Sequence, residues 1–222
     1  MSDTNGEYTK VEYTKGKQIV DAPRAHYTGL YEKSDALEIS ARTGLTWDAE
    51  GACFSMTLMG TALKIGHPVF RADGLRGPYE EILVMRYLLE GRYVPASGAM
   101  LAYSEMPWGS VYNSQFNGRV IGRIARMFGG DPSLLKTAIE GTPGLDFRVE
   151  SGADAAYRFE FLNGFFMSVL VWAGDDEFPA SAQALFSDNF KHAFTAEDMA
   201  VAFDIAVSRL KQTLNTMREG AV

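Results

Sequence analysis

Tyr157-Arg158-Phe159-Glu160-Phe161-Leu162-Asn163-Gly164-Phe165-Phe166-Met167-Ser168-Val169-Leu170-Val171-Trp172 is the stretch whose reading decides the fold. Tyr157, Phe159 and Phe161 alternate with Arg158 and Glu160, the period of two that sets one strand face on a core and leaves the other half exposed. Asn163-Gly164 is the strongest hairpin signal in the chain, because a two-residue turn of this kind needs positive φ at both positions. The chain returns through Phe165–Trp172, apolar on both faces, which predicts a central strand.

Upstream, Leu45–Trp47 runs into the turn Asp48-Ala49-Glu50-Gly51. Ala52, Phe54, Met56 and Leu58 then alternate with Cys53, Ser55 and Thr57, and after Gly60 a further strand covers Thr61–Ile65. This predicts an antiparallel meander. Helices are expected from a Ser34 cap to Arg42, with Gly44 as the stop, and from Gly77-Pro78 to Leu89. Two more are expected from about Tyr112 to Phe128, ended by Gly129-Gly130, and from an Asp131-Pro132 cap to Glu140. Downstream, Phe178-Pro179 is expected to open a helical segment. Thr195 with Asp198 resembles a capping box before Met199, Phe203, Ala206, Leu210, Leu214 and Met217, which recur at helical spacing. Strands first, then helices, a hairpin and helices again give the α+β class: a single domain over 23–222, with an antiparallel or mixed sheet packed by several helices. Residues 1–22, with the repeat Glu7-Tyr8-Thr9-Lys10 and Glu12-Tyr13-Thr14-Lys15, read as a flexible N-terminal extension.

The 222 residues carry 28 acidic and 21 basic side chains, a net charge of −7, which argues against nucleic-acid or anionic-membrane partners. The single cysteine, Cys53, excludes an internal disulfide and any cysteine-built zinc or iron–sulfur cage within one chain. With no signal-peptide pattern and no apolar run of spanning length, a cytoplasmic location is expected.

Three groups carry candidate chemistry. Asp175, Asp176 and Glu177 follow the apolar strand directly; carboxylates so placed suit a divalent cation or acid–base work, or else cap the following helix from a solvated turn. Arg119, Arg123 and Arg126, spaced by four and three, share one helical face suited to a phosphate or carboxylate, or to pairing with acidic neighbours. Tyr103, Glu105, Trp108 and Tyr112, in the turn Tyr103-Ser104-Glu105-Met106-Pro107-Trp108-Gly109-Ser110-Val111-Tyr112, suit either the lining of a ligand pocket or the filling beneath a loop. His26, His67 and His192 show no metal-binding spacing; His67 follows a strand, and His192 is expected on a helix behind the acidic turn. No dinucleotide, Walker or nucleophile-elbow motif is present.

Two segments carry a resemblance. Met106-Pro107-Trp108-Gly109-Ser110-Val111-Tyr112 leads to a helix ending Phe128-Gly129-Gly130-Asp131-Pro132. Trp172-Ala173-Gly174-Asp175-Asp176-Glu177-Phe178-Pro179-Ala180 leads to Leu185-Phe186-Ser187-Asp188. In these and in its block order, over about residues 24 to 215, the chain resembles the uncharacterised prokaryotic domain-of-unknown-function family 3786. The resemblance implies an association with anaerobic metabolism and, through members with an appended iron–sulfur domain, with redox or corrinoid chemistry. It supplies no catalytic residues and leaves the cofactor unknown.

Two classes of function follow. One is a binding or accessory protein for an anionic small molecule or cofactor, or for a redox protein partner. The other is an enzyme that uses Asp175, Asp176 and Glu177 with a divalent cation; a purely structural interaction module stands beside them.

Overall fold

The computed structural model describes residues 20–220. Most of the expected extension lies outside the described residues, but residues 20–22 already belong to a helix that continues to residue 31 (α1). There follow α2 (Ala36–Thr43), the meander β1 (Thr46–Asp48), β2 (Cys53–Leu58) and β3 (Thr61–Gly66), and α3 (Pro78–Glu90). After β4 (Met100–Ala102) and a 3₁₀ turn at Tyr103–Glu105, one long helical segment combines α4 (Gly109–Phe116), a π turn (Asn117–Ile121) and α5 (Gly122–Phe128). Then come α6 (Ser133–Glu140), β5 (Phe147–Val149), β6 (Ala155–Leu162), β7 (Phe165–Trp172), β8 (Ser181–Ser187), a 3₁₀ turn at Asp188–His192 and α7 (Ala196–Glu219).

All eight strands form one antiparallel sheet in the order β1-β2-β6-β7-β8-β4, with β3 on β2 and β5 on β6. The Asn163-Gly164 hairpin sits near its middle, so the α+β expectation holds. Phe159, Met167, Val169, Val171 and Phe186 point to the face on which the helices pack, with α5 over β7 and β8 and α6 over β6. β6 and β7 pair along their length, whereas β2 meets β6 only at Leu58↔Leu162. That seam is reinforced by Met59 N–H to Phe161 O (2.8 Å) and by Thr57 N–H to Asn163 Oδ1 (2.6 Å). Gly60, at φ 76°, lies so close to the Gly144 backbone that a Cβ there would stand 2.4 Å from it; only glycine fits this corner.

Several local expectations are corrected. Asp35, not Ser34, caps α2, its Oδ1 accepting from Leu37 N (2.8 Å) and Glu38 N (2.9 Å). β6 is not half exposed: Arg158 lies across the outer face, donating to Glu150 at 2.7 Å, and Glu160 Oε1 accepts from Gly164 N (2.7 Å). The segment after Phe178-Pro179 is strand β8 rather than a helix, because it pairs with β7 from Met167↔Phe186 to Trp172↔Ser181. Tertiary pairing there overrides the helix preference of Ala, Gln and Leu.

Candidate functional site

On α7, Glu197, Val201, Asp204, Ser208 and Gln212 recur every three or four residues and form one stripe. The alternate face, with Met199, Phe203, Ala206 and Leu210, is buried in the core. The stripe floors a cleft walled by α3 and the α4–π–α5 segment, with α1 adding Val20, Pro23 and Tyr27 at one end. Three cavities of about 560, 350 and 330 Å³ lie along it and share lining residues: Arg119 joins the first two, Tyr79 and Val201 the last two, and Arg86 and Glu197 the first and third.

The largest of these three is the aromatic one. Tyr103 is buried at its back, stacked on Phe116 at 4.1 Å between centroids, and its hydroxyl donates to Ala196 O (3.0 Å), tying the 3₁₀ turn to the start of α7. Burial raises the Tyr103 phenol above its usual pKa. Trp108 and Tyr112 line the mouth, 74% and 51% exposed. Trp108 has φ 63°, in the left-handed region, and Gly109 follows because a Cβ there would fall 1.7 Å from Tyr103 O. A non-glycine residue held in this region is costly and needs surrounding structure to maintain it. Glu105 takes no part in the cavity lining; its Oε2 accepts from Ala102 N (2.7 Å) and closes its own turn.

The arginine stripe is split. Arg119 Nε pairs with Asp204, Arg123 Nη1 lies 3.7 Å from the same carboxylate, and Arg123 Nη2 donates to Ser208 Oγ (3.1 Å). Arg126 is exposed, folds back over Gly122 and lines neither cavity. The π turn explains the division: its wider turn advances less per residue, bringing Arg119 and Arg123 into closer phase and leaving Arg126 off it. Burial raises the Asp204 carboxyl above the ordinary aspartate range, against the pull of Arg119 and Arg123. The folded state therefore takes up this proton more readily than the unfolded chain. Its contribution to stability is greatest below the unfolded pKa and is lost as pH rises through the folded one.

Arg86 and Asp204 escaped the sequence reading, though both left signals. Arg86 is the one basic residue within the α3 run Ile82–Leu89, and Asp204 stands in the polar stripe of α7. Arg86 Nη1 pairs with Asp198 Oδ1 (3.0 Å) and its guanidinium lies 5.3 Å from the Tyr27 ring centre, while its buried Nε has no partner among the described residues.

The acidic turn lies elsewhere, between β7 and β8. Asp175 Oδ1 accepts from Phe178 N (2.7 Å) and Glu177 N (2.9 Å), bonds that hold its carboxyl below the usual range. Asp176 and Glu177 are exposed. Among the described residues, no group of three or more His, Cys, Asp or Glu side chains is arranged to hold a metal ion. His192 sits beyond the opposite end of β8, away from this turn. His67 is enclosed by Tyr31, Trp47 and Phe54, with Ser34 Oγ 3.3 Å from Nε2, and His26 packs edge-on to Tyr27. A cavity of about 310 Å³ on the outer sheet face includes Arg158, but Glu150 already engages that guanidinium at 2.7 Å through both Nε and Nη2.

A family model described as Domain of unknown function (DUF3786) matches residues 35–209, a span that takes in α3, the α4–π–α5 segment and α7 through Arg209. No curated protein and no solved structure matches the chain.

Proposed function

We propose that this chain, which belongs to the domain-of-unknown-function family DUF3786, is a binding protein whose cleft over α7 receives a small anionic molecule. One observation carries the reading. An exposed tryptophan in a costly backbone conformation and a π turn flank the same cavity, and the π turn projects Arg119 into it. Strained residues and π turns both concentrate at functional sites. Among the described residues Arg119 pairs through Nε with Asp204, and guanidinium pairs suit phosphate or carboxylate oxygens. Asp204 holds the two arginines in place and neutralises one of their two charges.

The test is calorimetric titration with inorganic pyrophosphate. Arg119→Ala combined with Arg123→Ala should weaken binding by roughly tenfold or more, the scale of a lost charged hydrogen bond. Binding should also tighten as pH falls toward the raised Asp204 pKa, because protonating that carboxylate releases both guanidiniums. Affinity that survives the double substitution unchanged overturns the assignment.

A further inference from the structure

The aromatic and arginine-lined cavities are adjacent and meet at one side chain. Trp108, Tyr112, Gln115 and Arg119 all line the 560 Å³ cavity and follow one another along the same helical segment. Arg119 also lines the 350 Å³ cavity, where Arg123, Ser208 and Gln212 supply further polar groups. Tyr112 and Arg119 are seven residues apart, about 10 Å along a helix at 1.5 Å per residue. A ligand that uses both cavities needs a flat apolar part at one end and an anion at the other, with a short polar connection between them.

Resting on the anion-binding reading, we infer that the ligand is a heteroaromatic phosphate monoester of mononucleotide type. Its ring lies against Trp108 and Tyr112, and its phosphate is held by Arg119 and Arg123. Exposed aromatic side chains beside a basic groove are the usual means of holding an unpaired base, since every base offers a stacking face. A phosphate monoester fits better than a carboxylate at the other end. It carries close to two negative charges at neutral pH, and Asp204 leaves the arginine pair with net positive charge. Tyr103 shapes the back of the ring cavity without reaching its mouth, because its hydroxyl is committed to Ala196 O. Arg86, whose buried Nε has no partner among the described residues, forms the α3 side of that cavity.

Calorimetry with adenosine 5′-monophosphate, cytidine 5′-monophosphate and inorganic phosphate tests this. At least one nucleotide should bind about tenfold or more tightly than phosphate, the contribution of one base–aromatic stack. Trp108→Ala should remove that advantage, whereas Arg119→Ala should weaken nucleotide and phosphate alike. If phosphate binds through Arg119 and neither nucleotide binds more tightly, the two-part ligand is wrong and the anion site stands. If neither phosphate nor either nucleotide binds, both fall. A nucleotide advantage that persists in Trp108→Ala places the ring elsewhere and overturns the inference.

Discussion

Trp108 combines two unfavourable terms, a large apolar side chain left in water and a backbone in the left-handed region. The second costs about 1–2 kcal/mol for an L-residue. Glycine removes that strain, and the tryptophan gives up little buried area, so Trp108→Gly should not lower the melting temperature. A gain of a few tenths to about 1 kcal/mol is expected after the entropic penalty of glycine is counted. The same variant should bind the cleft ligand more weakly. Parallel melting and titration of one preparation check both halves, and a clear loss of stability would show that Trp108 serves the fold instead. At this scale the sequence marked Arg119, Arg123, Trp108 and Tyr112. Tyr103 and Glu105 belong to the same turn by composition, yet one fills its base and the other closes its backbone. The spacing of four and three puts Arg126 on the face of the other arginines only where the helical phase is uniform, and the π turn breaks that phase.

Among the elements, α7 has the widest reach: its 24 residues span about 36 Å. One face floors the cleft, while Arg209, 2% exposed, reaches into the interior. Its Nε and Nη2 donate to Glu80 Oε1 (2.7 Å) and Oε2 (2.6 Å), and its Nη1 donates to Thr61 Oγ1 (2.9 Å) and Leu58 O (3.3 Å). Nη2 also donates to Gly74 O (3.2 Å), so one guanidinium joins α7 to α3 and to the β2–β3 corner. Breaking a buried pair leaves a charge without compensation, at about 3–5 kcal/mol. Glu80→Gln should cost that much in denaturant unfolding, and Glu80→Leu with Arg209→Met should recover part of it. A loss below about 1 kcal/mol would mean that the carboxylate contributes little beyond its shape. Glu80 and Arg209 stand 129 residues apart in the sequence, which is why no periodicity announced their pair. The strand β8 was hidden differently: Ala182, Ala184 and Phe186 do alternate, but Phe178-Pro179 before them reads as a helix start when β7 is not there to pair with.

Taken whole, the α+β class and the central hairpin were legible because they rest on local signals, an Asn-Gly turn between a strand of period two and a strand apolar on both faces. The cleft was not, since its walls and floor come from residues 20–31, 78–90, 109–128 and 196–219, and no local pattern reports how such distant segments pack. Nor was the narrow seam between the meander and the main sheet, where β2 and β6 share a single pairing. Amide exchange under native conditions should divide there. Protection across β2 and β3 should yield before that of β6, β7 and β8, and Glu80→Gln should widen the difference; one common rate throughout the sheet would contradict this. In engineering terms the molecule is a bolted joint rather than a single casting. The meander is seated on the main sheet by one strand pairing and two hydrogen bonds and fastened to α7 by a guanidinium, and the beam that carries this fastening also floors the cleft. Wear at the bolt would therefore loosen the meander before the helical walls, and Arg209 is one route by which changes accumulated in residues 46–66 reach the ligand end of the protein.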